Sequence, residues 1–450
     1  MFKRKAEELL LEWKDKNGRK PLIIRGARQT GKTTLIKKFS KEFKIFVELN
    51  LEKDNIRKIF DGVSDAKNTI QSIESLTNQK IIPGETLLFL DEIQNSISAI
   101  KMLRYLYEEI PDLHVVSAGS LLEVRMKNEG WAFPVGRVEF LYLYPVTFEE
   151  FLFALDKKIL LINLKDVKIS DKIPQAVHEN LLDLLSLYII VGGMPEAVNT
   201  YISSGSLINV KKYQNDLIES FKEDFAKYAR ASEVEFLKIV WDSTPFNIGK
   251  RIKYSKLAGI ENRSRNISNA FDVLHEAMLI ERVFPSVSLS PPIAKKLKSA
   301  PKSLFLDIGL CSSLLHLTKD QIKKDLLNDA FNGALFEQFI GQELLALNSF
   351  NRNSLYFWIR EEKGSSSELD FLFQIGSKLI PIEVKAGKQG SLKSLHQFLY
   401  RSGSSFGIRI YNGGLSLNKN ELSLPDSNTL KYELISLPFY LIFRVFDFII

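Results

Sequence analysis

The chain holds 450 residues, 45% hydrophobic and 26% charged, an ordinary globular composition too long for one core, so two to four domains are expected. Sixty-one basic against 54 acidic residues leave a formal charge of +7; most of that surplus lies in 241–303 and hints at an anionic partner. Cys311 is the only cysteine and the five histidines lack ligand spacing, which excludes an internal disulfide and a thiolate metal cluster and fits a reducing, cytoplasmic location.

The amino terminus, Met1-Phe2-Lys3-Arg4-Lys5, enters charge rather than an apolar run, so no secretory signal is expected. Residues 6–13 place Leu9, Leu10 and Trp13 on one helical face, a lead-in helix to the strand Pro21-Leu22-Ile23-Ile24. That strand runs into Gly26-Ala27-Arg28-Gln29-Thr30-Gly31-Lys32-Thr33, and Thr34 continues into a helical pattern. Strand, glycine-bounded loop and helix make a phosphate cradle, in which backbone N–H groups and the positive helix end face an anion. Residues 26–34 are the expected nucleotide-binding set: Lys32 reaches the β- and γ-phosphates of ATP, and the Thr33 hydroxyl ligates Mg²⁺.

A second strand is expected at 45–51, then a polar, mostly helical stretch to about Lys80, punctuated by Pro83-Gly84. Thr86-Leu87-Leu88-Phe89-Leu90-Asp91-Glu92 is uniformly apolar until two carboxylates end it, the pattern of a strand buried on both faces of a parallel sheet. Strand ends form the ligand crevice of such sheets. Asp91 would hold Mg²⁺, mostly through water, and Glu92 would polarise the attacking water. After a helix at 99–110, the strand at 113–120 ends on Ser120, a candidate sensor of the γ-phosphate. Pro134-Val135-Gly136-Arg137 precedes a fifth strand at 138–144. Arg137 is a candidate transition-state arginine, in cis or across a homo-oligomer; a plain surface arginine is the other reading.

These motifs resemble an AAA+ ATPase domain. Asp91-Glu92-Ile93-Gln94, Ala118-Gly119-Ser120-Leu121-Leu122-Glu123, Pro134-Val135-Gly136-Arg137, the run from Tyr144-Pro145-Val146-Thr147 to Leu152, and Gly192-Gly193-Met194-Pro195-Glu196 are similar to a prokaryotic AAA-type family. That family pairs the ATPase with a C-terminal domain of unknown function, and the resemblance implies a strand order of 5-1-4-3-2.

From 147 to 228 the pattern is helical, with Leu181, Leu182, Leu184, Leu185 and Leu187 in one dense helix. A lid over the nucleotide is expected, with a hinge at Gly192-Gly193. Residues 229–303 read as a winged-helix-like module whose recognition helix begins near Arg263 and Arg265. Those two arginines would meet the phosphates or base edges of DNA or RNA, with Lys250, Arg251, Lys253, Lys256 and the loop lysines 295, 296 and 298 adding backbone contacts. The alternative is a protein-packing module with a solvated charged face. Residues 286–303 read as a linker.

Residues 304–450 carry a helical Glu337, a strand with Asp370, and a returning strand with Glu383-Val384-Lys385. This order resembles the PD-(D/E)xK nuclease core. In that chemistry Asp370, Glu383 and Glu337 gather around a second Mg²⁺ or Mn²⁺, and Lys385, two residues along the same strand face, positions water. Glu-x-Lys alone is weak, since Glu12/Lys14, Glu42/Lys44 and Glu361/Lys363 repeat it; the hairpin and Asp370 strengthen the fourth instance. The tail at 437–450 is short and carries Arg444 and Asp447, so a buried terminal element and no membrane partner are expected.

The expected fold class is therefore α/β, with an AAA+ P-loop sheet at 1–146, a helical lid at 147–228, the winged-helix-like module at 229–303 and the nuclease-like domain at 304–450. Two functions remain open: an Mg²⁺-dependent ATPase that drives a nucleic-acid-handling, nuclease-like domain, or an ATP-dependent switch whose C-terminal domain is an inert DNA- or protein-binding module.

Overall fold

Short apolar strands with alternating faces build the first sheet of the computed structural model. The described residues are all except 1, 63–64, 121, 123, 125–133, 135, 260–263, 326–329, 353, 363–364, 388–390, 424–428 and 450, and the side chains of 256, 258–259, 323–325, 330–332, 361–362 and 365–366. Strands β1 (Leu22–Arg25), β2 (Ile45–Asn50), β3 (Thr86–Asp91), β4 (His114–Gly119) and β5 (Glu139–Tyr142) pair in parallel in the order β2-β3-β4-β1-β5. Read from the β5 edge, this is the expected 5-1-4-3-2. Every residue of β1, β3 and β4 is buried, as strands covered on both faces require.

The period of two sorts their side chains between two cores. Ile23, Leu88 and Leu90 face one way, onto Ile100, Leu103 and Leu106 of the Ile97–Glu109 helix. Leu22, Ile24, Leu87 and Phe89 face the other, onto Leu10 and Trp13 of the lead-in helix Ala6–Asp15 and Leu35, Ile36 and Phe39 of the helix Lys32–Phe39.

The chain divides into one compact unit of Met1–Tyr144 with Glu276–Leu279, and a second of Pro145–His275 with Ile280–Ile450. The helices expected as a lid, from Phe148–Ala154 to Leu207–Asp224, fall in the second unit. Its sheet has eight strands: β6 (Ile280–Ser286), β7 (Lys302–Phe305), β8 (Tyr356–Glu362), β9 (Ser365–Ile375), β10 (Lys378–Lys385), β11 (Phe406–Tyr411), β12 (Ser416–Ser423) and β13 (Thr429–Pro438), in the order β12-β13-β11-β10-β9-β8-β6-β7. It is mixed: β8, β9 and β10 form an antiparallel meander, while β10–β11, β11–β13 and β6–β8 are parallel.

Two expectations differ from this architecture. Residues 280–283, expected within the winged-helix-like module, form part of β6, which does pair antiparallel with β7 after the helices Ala231–Ser243 and Ser264–Glu276. Its other edge, however, pairs with β8, so both strands belong to the large sheet, and a boundary after residue 303 would cut β7. A pairing partner seventy residues away leaves no local mark on β6. The expected hinge at Gly192-Gly193 is a packed crossing: Gly193 accepts from the Val146 N–H at 2.7 Å and donates to Asp307 at 2.6 Å.

The apolar tail forms the turn Phe439–Arg444, whose first five residues are buried, the terminal element its composition suggested. No single helix among the described residues is long and apolar enough to cross a membrane.

Candidate functional site

The first sheet aligns the carboxyl ends of its central strands: Arg25 lies opposite Gly119, Leu90 opposite Ser117 and Asn50 opposite Asp91. The loop after β1 passes so near the chain leaving β5 that a Cβ on Gly26 would stand 2.5 Å from the Leu143 carbonyl oxygen. Only glycine allows that approach. Gly31 is left-handed at φ 90° and opens the Lys32 helix, while Thr30 Oγ1 donates to the Ala27 carbonyl at 2.9 Å and closes the loop. Within the loop Ala27 is buried, Arg28 half-buried and Gln29, at φ 66°, exposed, as is Thr34 in the helix behind it.

The Lys32 ammonium donates to the carbonyls of Gly26 and Ala27 at 2.9 and 2.8 Å, holding its charge at the mouth of the cradle. Burial lowers its pKa to about 8, against the pull of Glu92 and Asp91. Thr33 Oγ1 donates to Asp91 Oδ2 at 3.0 Å, so the hydroxyl and carboxylate expected to share Mg²⁺ already touch. Burial, partly offset by the Thr33 hydrogen bond, raises the Asp91 pKa, a cost that a divalent cation would remove. This donor set fits Mg²⁺ with a nucleotide phosphate.

Glu92 is left-handed at φ 53° and accepts a hydrogen bond from Gln94 Nε2. A non-glycine residue in that region is strained, and here the strain aims a carboxylate from the end of β3. Ser120 is buried just past the end of β4.

The second unit brings together the C-terminal acidic residues, with an addition. Lys302 of β7, only 3% exposed, places its ammonium 2.6 Å from Glu337, 2.8 Å from Glu368 and 3.8 Å from Asp370. Arg251 pairs with the other Glu368 oxygen at 2.7 Å. The second Asp370 oxygen accepts the Val384 N–H at 2.8 Å, and Lys385 binds Glu383 Oε1 at 2.6 Å.

Burial opposes the charge on Lys302, yet Glu337, Asp370 and Glu368 outweigh it and hold its pKa above the ordinary lysine value. Four carboxylates, Glu337, Glu368, Asp370 and Glu383, face three cations, Lys302, Arg251 and Lys385, and leave one negative charge over. Burial accordingly pushes Glu337 up to about 8 and Glu383 up to about 7. Among the described residues no group of three or more His, Cys, Asp or Glu side chains is arranged to hold a metal ion. A divalent cation does not fit this cluster as it stands, because Lys302 takes the place such an ion would need.

Residues 18–152 match the family model described as an AAA domain. The N-terminal unit is an AAA-type P-loop ATPase domain. Two further family models, both described as domains of unknown function (DUF8612 and DUF4143), match 182–321 and 332–429. No curated protein matches the sequence. Solved structures similar to it include a Walker-type ATPase of Pyrococcus abyssi (15% identity, TM-score 0.43, 70% of this chain and 96% of that one). Others are Aeropyrum pernix ORC1 in complex with DNA (14%, TM-score 0.30, 73% and 95%) and the Thermotoga maritima RuvB Holliday junction branch migration motor (16%, TM-score 0.27, 63% and 90%). None of these three reaches a TM-score of 0.5, so the domain assignment rests on the family model and the loop geometry.

The AAA domain keeps Arg137 in an exposed ion pair with Glu108 at 2.6 Å, as a surface arginine would be. Of the candidate nucleic-acid contacts, Arg265 and Lys253 are exposed, Arg263 lies outside the described residues, and so does the side chain of Lys256. Arg251 is spent on Glu368 rather than presented to a phosphate backbone.

Four further residues contribute to these sites without a role expected of them. Arg4 donates to the carbonyls of Thr30 and Tyr144 at 3.3 and 2.7 Å, bracing the P-loop from behind; nothing local marks it. Gln94 closes the Asp91-Glu92-Ile93-Gln94 stretch, where the carboxylates alone suggest chemistry. Glu368 was legible, since period-two alternation puts it on the face of Asp370. Lys302 was hidden in an expected linker.

Proposed function

We propose that the chain is an Mg²⁺-dependent ATPase whose turnover switches the state of its C-terminal unit, and that this unit acts as a binding module rather than a metal nuclease. The observation that carries the first half is the Thr33–Asp91 contact beside the Lys32 ammonium. Bound Mg²⁺·ATP supplies the phosphoryl group and a counter-charge that Thr33 and Asp91 would hold. Lys32 leaves the loop carbonyls for phosphate oxygens, which are stronger acceptors. Glu92, held by Gln94, takes the proton of the attacking water, and Ser120 reads the γ-phosphate from the end of β4. Arg137 serves a neighbouring subunit in a homo-oligomer: its exposed pair with Glu108 is weak enough to give up.

The second half is favoured by Lys302, whose ammonium occupies the acidic cluster. DNA or RNA is the proposed partner, met through exposed Lys253 and Arg265 together with Arg263 and Lys256. Glu92→Gln should bind ATP with wild-type affinity and hydrolyse it about 10²–10⁴-fold more slowly; unchanged turnover would remove Glu92 from the mechanism. Wild-type protein with Mg²⁺ or Mn²⁺ should leave DNA and RNA intact. Cleavage that disappears in Asp370→Ala would restore the nuclease reading.

A further inference from the structure

We propose that the Lys302 ammonium is the resident cation of the nuclease-like cluster, and that it and a divalent metal exclude one another there. This rests on the reading of the second unit as a binding module rather than a metal nuclease, but concerns an ion, not a reaction. Catalytic metal sites of this kind need carboxylate oxygens free to turn toward the ion. Here one oxygen each of Glu337, Glu368 and Asp370 faces Lys302, the other Glu368 oxygen pairs with Arg251, and the other Asp370 oxygen is taken by the Val384 N–H.

The cavity is closed on a further side. A Cβ on Gly249 would stand 3.1 Å from Glu337 Oε2, so the chain at Gly249 passes close beside that oxygen. One sign of a cation-shaped demand remains. Glu383 is 3% exposed, and its Oε2 is buried with no hydrogen-bond partner among the described residues. Burial, then the nearby charge of Asp370, raises its pKa, the mark of a carboxyl short of positive charge. Lys302 answers the rest of the cluster, and it arrives from β7, the edge strand of the sheet, outside the meander that carries Asp370 and Glu383.

Lys302→Met in the full chain removes the ammonium and leaves Glu337, Asp370 and Glu383 to recruit a free cation. The experiment measures thermal melting and Mn²⁺ binding without nucleotide for wild type, Lys302→Met, and Lys302→Met combined with Asp370→Asn. Wild-type melting should be indifferent to Mn²⁺. The single variant should melt lower and regain several degrees on adding Mn²⁺ at about 100 times its dissociation constant, and the double variant should regain nothing. If Lys302→Met does not fold, Lys302→Met with Glu337→Gln relieves one stranded carboxylate and keeps the Asp370–Glu383 pair.

Mn²⁺ binding by the wild type that is lost in Asp370→Asn overturns the proposal. So does a folded Lys302 variant that gains no Mn²⁺ affinity. A variant that gains Mn²⁺ supports the proposal whether or not it cuts DNA or RNA, since the proposal concerns the ion.

Discussion

At the residue scale, the two units treat buried charge in opposite ways. Lys32 is buried against carbonyl dipoles that cannot neutralise it, and its pKa falls to about 8; such a group gains by meeting a polyanion. Lys302 is buried against carboxylates, its pKa rises, and it gains nothing by leaving. Removing one partner of a buried ion pair costs about 3–5 kcal/mol, so Lys302→Ala should lower the denaturation midpoint far more than Lys385→Ala, whose ammonium is partly exposed. Equal small losses would mean that Lys302 is not integral to the fold.

Arg4 permits a subtler test. Its guanidinium donates to the back of the P-loop, at Thr30, and to the chain after β5, at Tyr144. Arg4→Ala leaves a buried carbonyl unsatisfied at about 1–3 kcal/mol. It should therefore raise the KM for ATP by about tenfold with a smaller effect on kcat. A purely catalytic loss with KM unchanged would contradict that bracing role.

At the element scale, one helix, Ala330–Leu347, organises the second unit through polar side chains rather than apolar packing alone. Glu337 meets Lys302; Gln338 exchanges two hydrogen bonds with the Phe305 backbone at 2.7 and 2.9 Å. Gln342 accepts from the Ile308 N–H at 2.8 Å, and Glu343 accepts from the Phe148 N–H at 3.0 Å, capping the Phe148–Ala154 helix. The sequence showed this helix and Glu337, because a helical run and a motif residue are local signals. It could not show Gln338, Gln342 or Glu343 as connectors, because their partners lie thirty to nearly two hundred residues away.

The five strands of the AAA sheet were legible for the converse reason. Each is a short apolar run ending in a loop or a carboxylate, and period-two sorting needs no distant partner. β6 was not legible as part of the large sheet, because only its pairing with β8 reveals it.

The same helix sets a pH dependence. Burial raises Glu343 to about 8 from an ordinary 4.5. A carboxyl whose folded pKa exceeds its unfolded one binds its proton more tightly when folded. Its contribution is full below pH 4.5 and is lost as pH rises through about 8. Stability should therefore fall between about pH 5 and pH 8, and Glu343→Gln should flatten that fall in melting curves taken across the range. A Glu343→Gln curve parallel to wild type would show that this carboxyl is not titrating there.

At the scale of the whole molecule, the chain passes from one unit to the other between Tyr144 and Pro145. The Tyr144 carbonyl is held by Arg4, and two residues on Val146 is held by Gly193, itself held by Asp307. Short tethers on both sides of that step are what a switch driven by nucleotide occupancy would use. If Arg137 works across subunits, the specific ATPase rate should rise with protein concentration, and Arg137→Ala should abolish the rise at a cost of about 10³-fold in kcat. A concentration-independent rate would return Arg137 to its pair with Glu108.

ATP turnover at the P-loop is what would power the proposed switch. The direct measurement is steady-state hydrolysis by the purified full chain, with and without Mg²⁺, beside Lys32→Ala. Hydrolysis that requires Mg²⁺ and vanishes in Lys32→Ala is the predicted result; a Lys32→Ala protein that consumes ATP at the wild-type rate would contradict it.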